Sequence, residues 1–240
     1  MALDPQSVEA QTNLAGVLVN RVTAHMTDSV AADIARAEEL VDRALAASPR
    51  TAYAHYVKGT VLRWQNRWSE AISEFETALA LNRNLVGALQ GLGRCKLYTG
   101  SIEEVIPLAE QAIRLDPRNP HIGWRYLLIG TVLLLQTHTD EAIVWLEKGR
   151  NNMPAEPFHR SWLASAYALR GETERASTEL AEARRLAGES SFSSIAHVKS
   201  EGLWGVPEVR ALFEATYFAG LRKAGMPEEG DRAIGGSDPV

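Results

Sequence analysis

The chain repeats itself at a fixed interval, and that interval limits what it can fold into. The segment "GTVLRWQNRWSEAISEFETALAL" (Gly59 to Leu81) aligns with "GRCKLYTGSIEEVIPLAEQAIRL" (Gly93 to Leu115). Gly59 and Gly93 stand 34 residues apart, as do Ala78 and Ala112, and Leu81 and Leu115. The same step of 34 separates Gly130 from Ala164, Ala142 from Ala176, and Leu146 from Leu180. Earlier, Ala37 precedes Ala71 and Ala44 precedes Ala78 by 34. A period of this size marks units that bury their apolar faces against their neighbours. Inside the units, apolar residues recur with helical period, as in Leu163, Ala166, Tyr167 and Leu169. No alternating strand pattern is found, which predicts an all-α chain.

These residues resemble the tetratricopeptide repeat (TPR), a helix–turn–helix unit of this length. The resemblance implies a solenoid, a right-handed superhelix of antiparallel helix pairs, closed by a C-terminal capping helix. It gives the repeated residues mechanical roles. Gly59, Gly93, Gly130 and Ala164 let the two helices of a unit approach, and Ala71, Ala142 and Ala176 do so from the second helix. Phe75, Leu146 and Leu180 fill the space between units. Pro49, Pro117 and Pro154 stop the second helices, with Arg83 in the corresponding slot of one unit. Val105 replaces the usual alanine in another.

About five units result, at residues 8–49, 50–83, 84–117, 118–154 and 155–188. Ala15 to Gly59 is 44 residues, which predicts a longer first helix and connection around residues 20–33, with Asp28 or Ser29 capping the next helix. Pro117 to Pro154 is 37, which predicts that Pro120, His121 and Ile122 delay the next helix. Residues 189–225 read as capping helices. Pro207 opens the main one, Gly225 follows it, and Val209, Phe213, Thr216 and Leu221 approximate its apolar face. Residues 226–240 read as a disordered tail. The opening "MALDPQS" places Pro5 in the slot of Pro49, so Ala2 and Leu3 read as the end of a preceding unit. The alternative is a natural start with a short tail.

The chemistry is sparse. Net charge is −5 with scattered Lys and Arg, so no nucleic-acid partner is expected. The most apolar run, Tyr126 to Leu135, is too short for a membrane helix, so no membrane insertion is expected. The single Cys95 excludes an intrachain disulfide and suits a cytoplasmic setting, as a buried inert thiol. The six histidines are dispersed, no metal or other cofactor is expected, and no nucleophile has a base beside it. Glu103 and Glu104 suit a helix start. The chain reads as non-catalytic.

The TPR resemblance implies instead a protein or peptide held in a concave groove lined by the first helix of each unit. Its groove positions fall on Tyr53, Tyr56, Thr60, Arg63 and Trp64, then Gln90, Arg94 and Leu97. They continue with Trp124, Leu127 and Thr131, and with Phe158, Ser161 and Ser165. Tyr, Trp and Arg are enriched at binding hot spots. For Trp64 and Trp124, packing within the array is the equal alternative. The positions of the TPR carboxylate clamp hold Tyr56, Thr60, Gln90 and Arg94, only one of them cationic, so a chaperone-tail clamp is not expected. Replacing Tyr56 and Arg94 together is expected to weaken partner capture without changing melting. The oligomeric state is not specified.

A narrower resemblance rests on "DSVAADIARAEELVDRALAASP", "IRLDPRNPHIGWRYLLIGTVLLL", "AYALRGETERASTELAEARRL" and "FEATYFAGLRKAGMPEE". Together these look like the C-terminal TPR regions of bacterial class III adenylate/guanylate cyclases. Similar regions follow winged-helix domains in some regulators. In the cyclases the catalytic domain precedes the repeats, and its metal-binding aspartates and nucleotide-binding residues have no counterpart here. The resemblance implies a regulatory or scaffolding part of a larger signalling protein. The alternative is a free-standing adaptor.

Overall fold

The computed structural model describes residues 7–24, 26–188, 192–202 and 204–229, and no strand occurs among them. Pro5, with the rest of the opening six residues, and residues 230–240 of the tail lie outside the described residues. The chain divides into two compact units, Met1–Asn119 and Pro120–Val240.

Three helix pairs build the first unit. They are α1 (Val8–Thr23) with α2 (Val30–Ala47), α3 (Ala52–Trp64) with α4 (Trp68–Leu81), and α5 (Val86–Thr99) with α6 (Val105–Leu115). Ser7 and Ser29 start α1 and α2 by accepting the N–H of Ala10 and Ala32, at 3.1 and 3.3 Å. α1 is indeed longer than α3, at 16 residues against 13. A 3-10 turn, Ile102–Glu104, leads into α6 and carries Glu103 and Glu104. A proline is not required to stop a second helix. α4 ends at Leu81, two residues before Arg83, just as α2 ends two residues before Pro49. The Asn82 N–H closes α4 on the Ala78 carbonyl as the Ser48 N–H closes α2 on Ala44.

Close approach within the unit rests on missing side chains. A Cβ on Gly59 would lie 2.8 Å from the Phe75 ring, and one on Gly91 would overlap the same ring. Phe75 is fully buried and so packs on the bare backbones of both α3 and α5. Ala71 and Ala78 flank it on α4, also fully buried. Polar pins add to this at the rim: Lys58 bonds Glu38 at 3.0 Å and Asp42 at 2.8 Å, tying α3 to α2.

In the second unit, α7 (Gly123–Leu135) pairs with α8 (Thr139–Asn152), and α9 (Pro157–Arg170) with α10 (Thr173–Ala187). α7 starts six residues after Pro117, whereas α9 starts three after Pro154, as the insertion predicts. A Cβ on Gly130 would lie 2.7 Å from Leu146, repeating the Gly59–Phe75 contact. Glu179 of α10, 6% exposed, accepts from Arg150 of α8 and, at 2.9 Å, from Arg160 of α9. Two cations on one carboxylate make this a fully satisfied buried charge. α11 (Ile195–Glu201) follows, then α12 (Pro207–Phe213), a π turn (Glu214–Phe218) and α13 (Ala219–Lys223).

The sequence reading places residue 226 in a disordered tail. The structure differs through Glu229: Met226 is buried, and the Pro227 and Glu228 carbonyls accept the N–H groups of Ile195 and Ala196 at 2.8 and 2.9 Å. A buried apolar side chain and two backbone bonds supply what the polar composition hides.

One turn recurs with the period. Each of the first helices α3, α5, α7 and α9 leaves through a left-handed residue: Asn66 (φ 61°), Gly100 (93°), Thr137 (63°) and Gly171 (90°). Asn66 to Gly100 and Thr137 to Gly171 are again 34 apart. In three of the four turns a bond six residues wide closes the helix, from Arg67 to Leu62, His138 to Leu133 and Glu172 to Tyr167. Glycine fits this conformation, whereas a β-branched threonine is strained in it. We expect Thr137→Gly to stabilise the protein by about 0.5–1 kcal/mol, the relief of strain less the glycine's unfolded-state entropy. A Cβ at Gly171 meets nothing, so Gly171→Ala should cost about 1 kcal/mol through the backbone alone. Denaturant unfolding of the two variants checks both signs.

Candidate partner-binding face

In the first unit the candidate residues lie on α3 and α5. Tyr53, Tyr56, Thr60 and Arg63 recur at three- and four-residue steps, so they form one stripe along α3. Tyr53 is 37% exposed, and its ring centroid lies 5.6 Å from that of Tyr56. Its hydroxyl end rests over Gly16 of α1, where a Cβ would approach to 2.5 Å.

Tyr56 is more enclosed. Its ring lies 6.3 Å from Phe75, and Gly87 of α5 leaves room for it, since a Cβ there would come within 2.8 Å. It packs on two apolar clusters, one of α1, α2 and α3 and one of α3, α4 and α5. Burial pushes its phenol pKa up. This corrects the expectation for Tyr56: removing a ring wedged between two clusters must lower melting. Thr60 is buried, and its hydroxyl donates to the Tyr56 carbonyl at 2.9 Å. Trp64 packs on the cluster of α1, α2 and α3, and its Nε1 is sealed with no hydrogen-bond partner. Packing is therefore what its indole does.

Arg63 stacks over the Trp64 ring, 5.2 Å from its centroid. Burial lowers its pKa, and the like charge of Arg94 on α5 lowers it further. Gln90 and Arg94 are half-buried on α5, one helical turn apart, and Leu97 is buried beyond them. Cys95 is buried next to Arg94, and desolvation pushes its thiol up to about 11, which makes it a poor nucleophile.

In the second unit the candidates fare differently. Trp124 on α7 is half-buried, with its ring 6.4 Å from Phe158 and 5.1 Å from His159. Phe158 is 40% exposed and meets Phe192 edge-on at 5.6 Å. Leu127 and Thr131 are buried.

Ser161 and Ser165 are sealed, which overturns their assignment to a groove. The segment α12 to α13 lies on α9, with its π turn also against α7. The Ser161 hydroxyl donates to the Phe158 carbonyl and lies 2.9 Å from the Tyr217 hydroxyl, which must then be the donor to it. Ser165 donates to the Tyr217 carbonyl at 2.9 Å. Trp162 stacks on Tyr217, centroids 4.0 Å apart. Gly220 brings the α13 backbone onto Ser165 so closely that a Cβ would overlap it. Val209, Phe213, Thr216 and Leu221 are all buried, so the apolar face is the predicted one. What it covers is α9, and Tyr217 at its centre has no forewarning in the repeat pattern. The small residues Ser161, Ser165 and Gly220 were the available signal.

Among the described residues, no group of three or more His, Cys, Asp or Glu side chains could hold a metal ion. No described helix is long and apolar enough to cross a membrane.

No protein-family model matches the sequence. No curated protein matches it either. Solved structures do match. PilF from Pseudomonas aeruginosa superposes with a TM-score of 0.63 at 17% identity, over 90% of this chain and 93% of that one. A thermophilic TPR protein from Thermus thermophilus gives 0.60 at 20%, over 89% and 100%. YrrB, described as a TPR protein with an unusual peptide-binding site, gives 0.54 at 20%, over 76% and 88%. Together with the helix pairs above, these likenesses show the fold: the chain is an all-α TPR solenoid.

The contact of α13 with α9 has a direct test. Gly220→Val must push α13 off Ser165 and break the Tyr217 hydrogen bonds, and we expect a loss of about 2–4 kcal/mol by denaturant unfolding. A loss below about 1 kcal/mol would show that α13 does not hold to α9.

Proposed function

We propose that the chain is a non-catalytic protein-interaction module that holds a peptide or protein segment along the α3 and α5 face of its first unit. The observation that carries this is the stripe of Tyr53, Arg63 and Arg94, with Gln90 beside it. Aromatic and arginine side chains dominate binding hot spots because they bring large area and several donors at small entropy cost. Tyr53 keeps over a third of its surface exposed in a protein whose other aromatic rings are mostly packed. The peptide-binding site in the name of YrrB, on a similar fold, supports a peptide as ligand. In the second unit, Trp124 and Phe158 remain candidates and Ser161 does not.

The interaction is tested by selecting binders from a peptide library on the intact protein. The selected peptides should lose about tenfold or more in affinity for a Tyr53→Ala, Arg94→Ala double variant. Melting should move little, in contrast to Tyr56→Ala. Unchanged affinity would place the binding face elsewhere.

A finer reading is that this module belongs to a larger bacterial signalling protein such as a nucleotide cyclase. Its support is the four quoted segments. The free-standing adaptor is the alternative. Reading the gene upstream of Met1 separates them: a continuous frame encoding a cyclase domain is expected, and a stop codon followed by a ribosome-binding site would refute it.

A further inference from the structure

The register of the array puts apolar residues on α1 at places that later first helices bury. The spacing of 44 that relates Ala15 to Gly59 also relates Ala10, Leu14 and Val17 of α1 to Ala54, Lys58 and Val61 of α3. A further step of 34 reaches Ala88, Leu92 and Cys95 of α5. On α3, Ala54 and Val61 are fully buried in the cluster shared with α1 and α2, and Lys58 ties to Glu38 and Asp42 of α2. On α5, Ala88 and Cys95 are fully buried and Leu92 is buried with them, in the cluster that holds Phe75 of α4. These positions are the seat on which each helix pair receives the pair before it. On α1, among the described residues, the seat is open: Leu14 is 47% and Val17 55% exposed. With Ala10 they stand at i, i+4 and i+7, so they form one apolar stripe.

We propose that a second copy of this chain covers the stripe. The two α1 helices pack antiparallel about a two-fold axis that passes between Leu14 and Val17, so that each Leu14 meets the partner's Val17. The charges of α1 favour this pairing. They are Glu9 and Arg21, placed symmetrically about Ala15, close to the midpoint of Leu14 and Val17. An antiparallel copy brings each end to its opposite charge and opposes the two helix dipoles, whereas a parallel copy sets like charges together. Arg21 lies 3.7 Å from Asp33 yet keeps 44% of its side chain exposed, which leaves surface for a second carboxylate. Head-to-tail stacking on α10 is disfavoured, because the exposed face of that helix carries Glu174, Arg175, Thr178 and Arg185. A patch that complements itself closes as a two-fold dimer rather than a filament. The 16 residues of α1 give a contact about 24 Å long, small beside a standard interface, so the dimer is weak, with Kd of about 1–100 μM.

Sedimentation equilibrium of the intact chain tests this. The mass should rise with concentration from one chain towards two and stop there. Val17→Asp, a change at an exposed position, should weaken the dimer about tenfold or more and leave the melting of the dilute protein unchanged. A nitroxide on Glu9→Cys, in a Cys95→Ala background, reads the orientation. The two labels should lie more than about 20 Å apart across an antiparallel pair, and closer than that across a parallel one. A short label distance overturns the antiparallel seam. A monomer at every concentration overturns the second copy as occupant and assigns the seat to a helix of different sequence. A dimer that survives Val17→Asp but is lost with Tyr53→Ala, Arg94→Ala places self-association on the α3 and α5 face and overturns the proposal. Masses that climb beyond two chains overturn the closed pairing.

Discussion

The packing of α3, α4 and α5 depends on one ring lying against two bare backbones. Phe75 can be fully buried because Gly59 and Gly91 carry no side chain at the points it touches. The contact sets the approach of α3 to α4 and of α4 to α5 together. It therefore fixes where the α3 stripe that carries Tyr53 and Arg63 lies against α5. The same device returns as Leu146 over Gly130 in the second unit. Most of the helices are too short to be stable alone, so packing of this kind is what holds them.

This is why so much of the fold is legible in the sequence. A spacing of 34 between small residues is a direct trace of helix–helix approach, and it locates the pairs before any coordinate is seen. The left-handed turns are half legible. Gly100 and Gly171 announce them, while Asn66 and Thr137 occupy the same geometry in disguise. The prolines mislead mildly, since Arg83 stands where a helix stops just as well.

The candidate site is less legible, for two physical reasons. A repeat register says which side chains leave the first helix on one side, but not what else lands there. Ser161 and Ser165 have the right register and are covered by Tyr217, more than fifty residues later in sequence. Nor does register reveal pairing. Arg63 and Lys58 sit on the same helix five residues apart, yet one meets two carboxylates and the other none. Only the arrangement of neighbouring helices decides that.

The placement of the C-terminal helix has a consequence for how such an array can grow. A stacked array needs a polar last surface, and here α10 supplies it: Glu174, Arg175, Thr178 and Arg185 are all exposed. With α10 already water-soluble, the amphipathic segment beyond it is released from end-capping duty and settles on α9. A duplicated unit added after α10 would find charge, not an apolar seat.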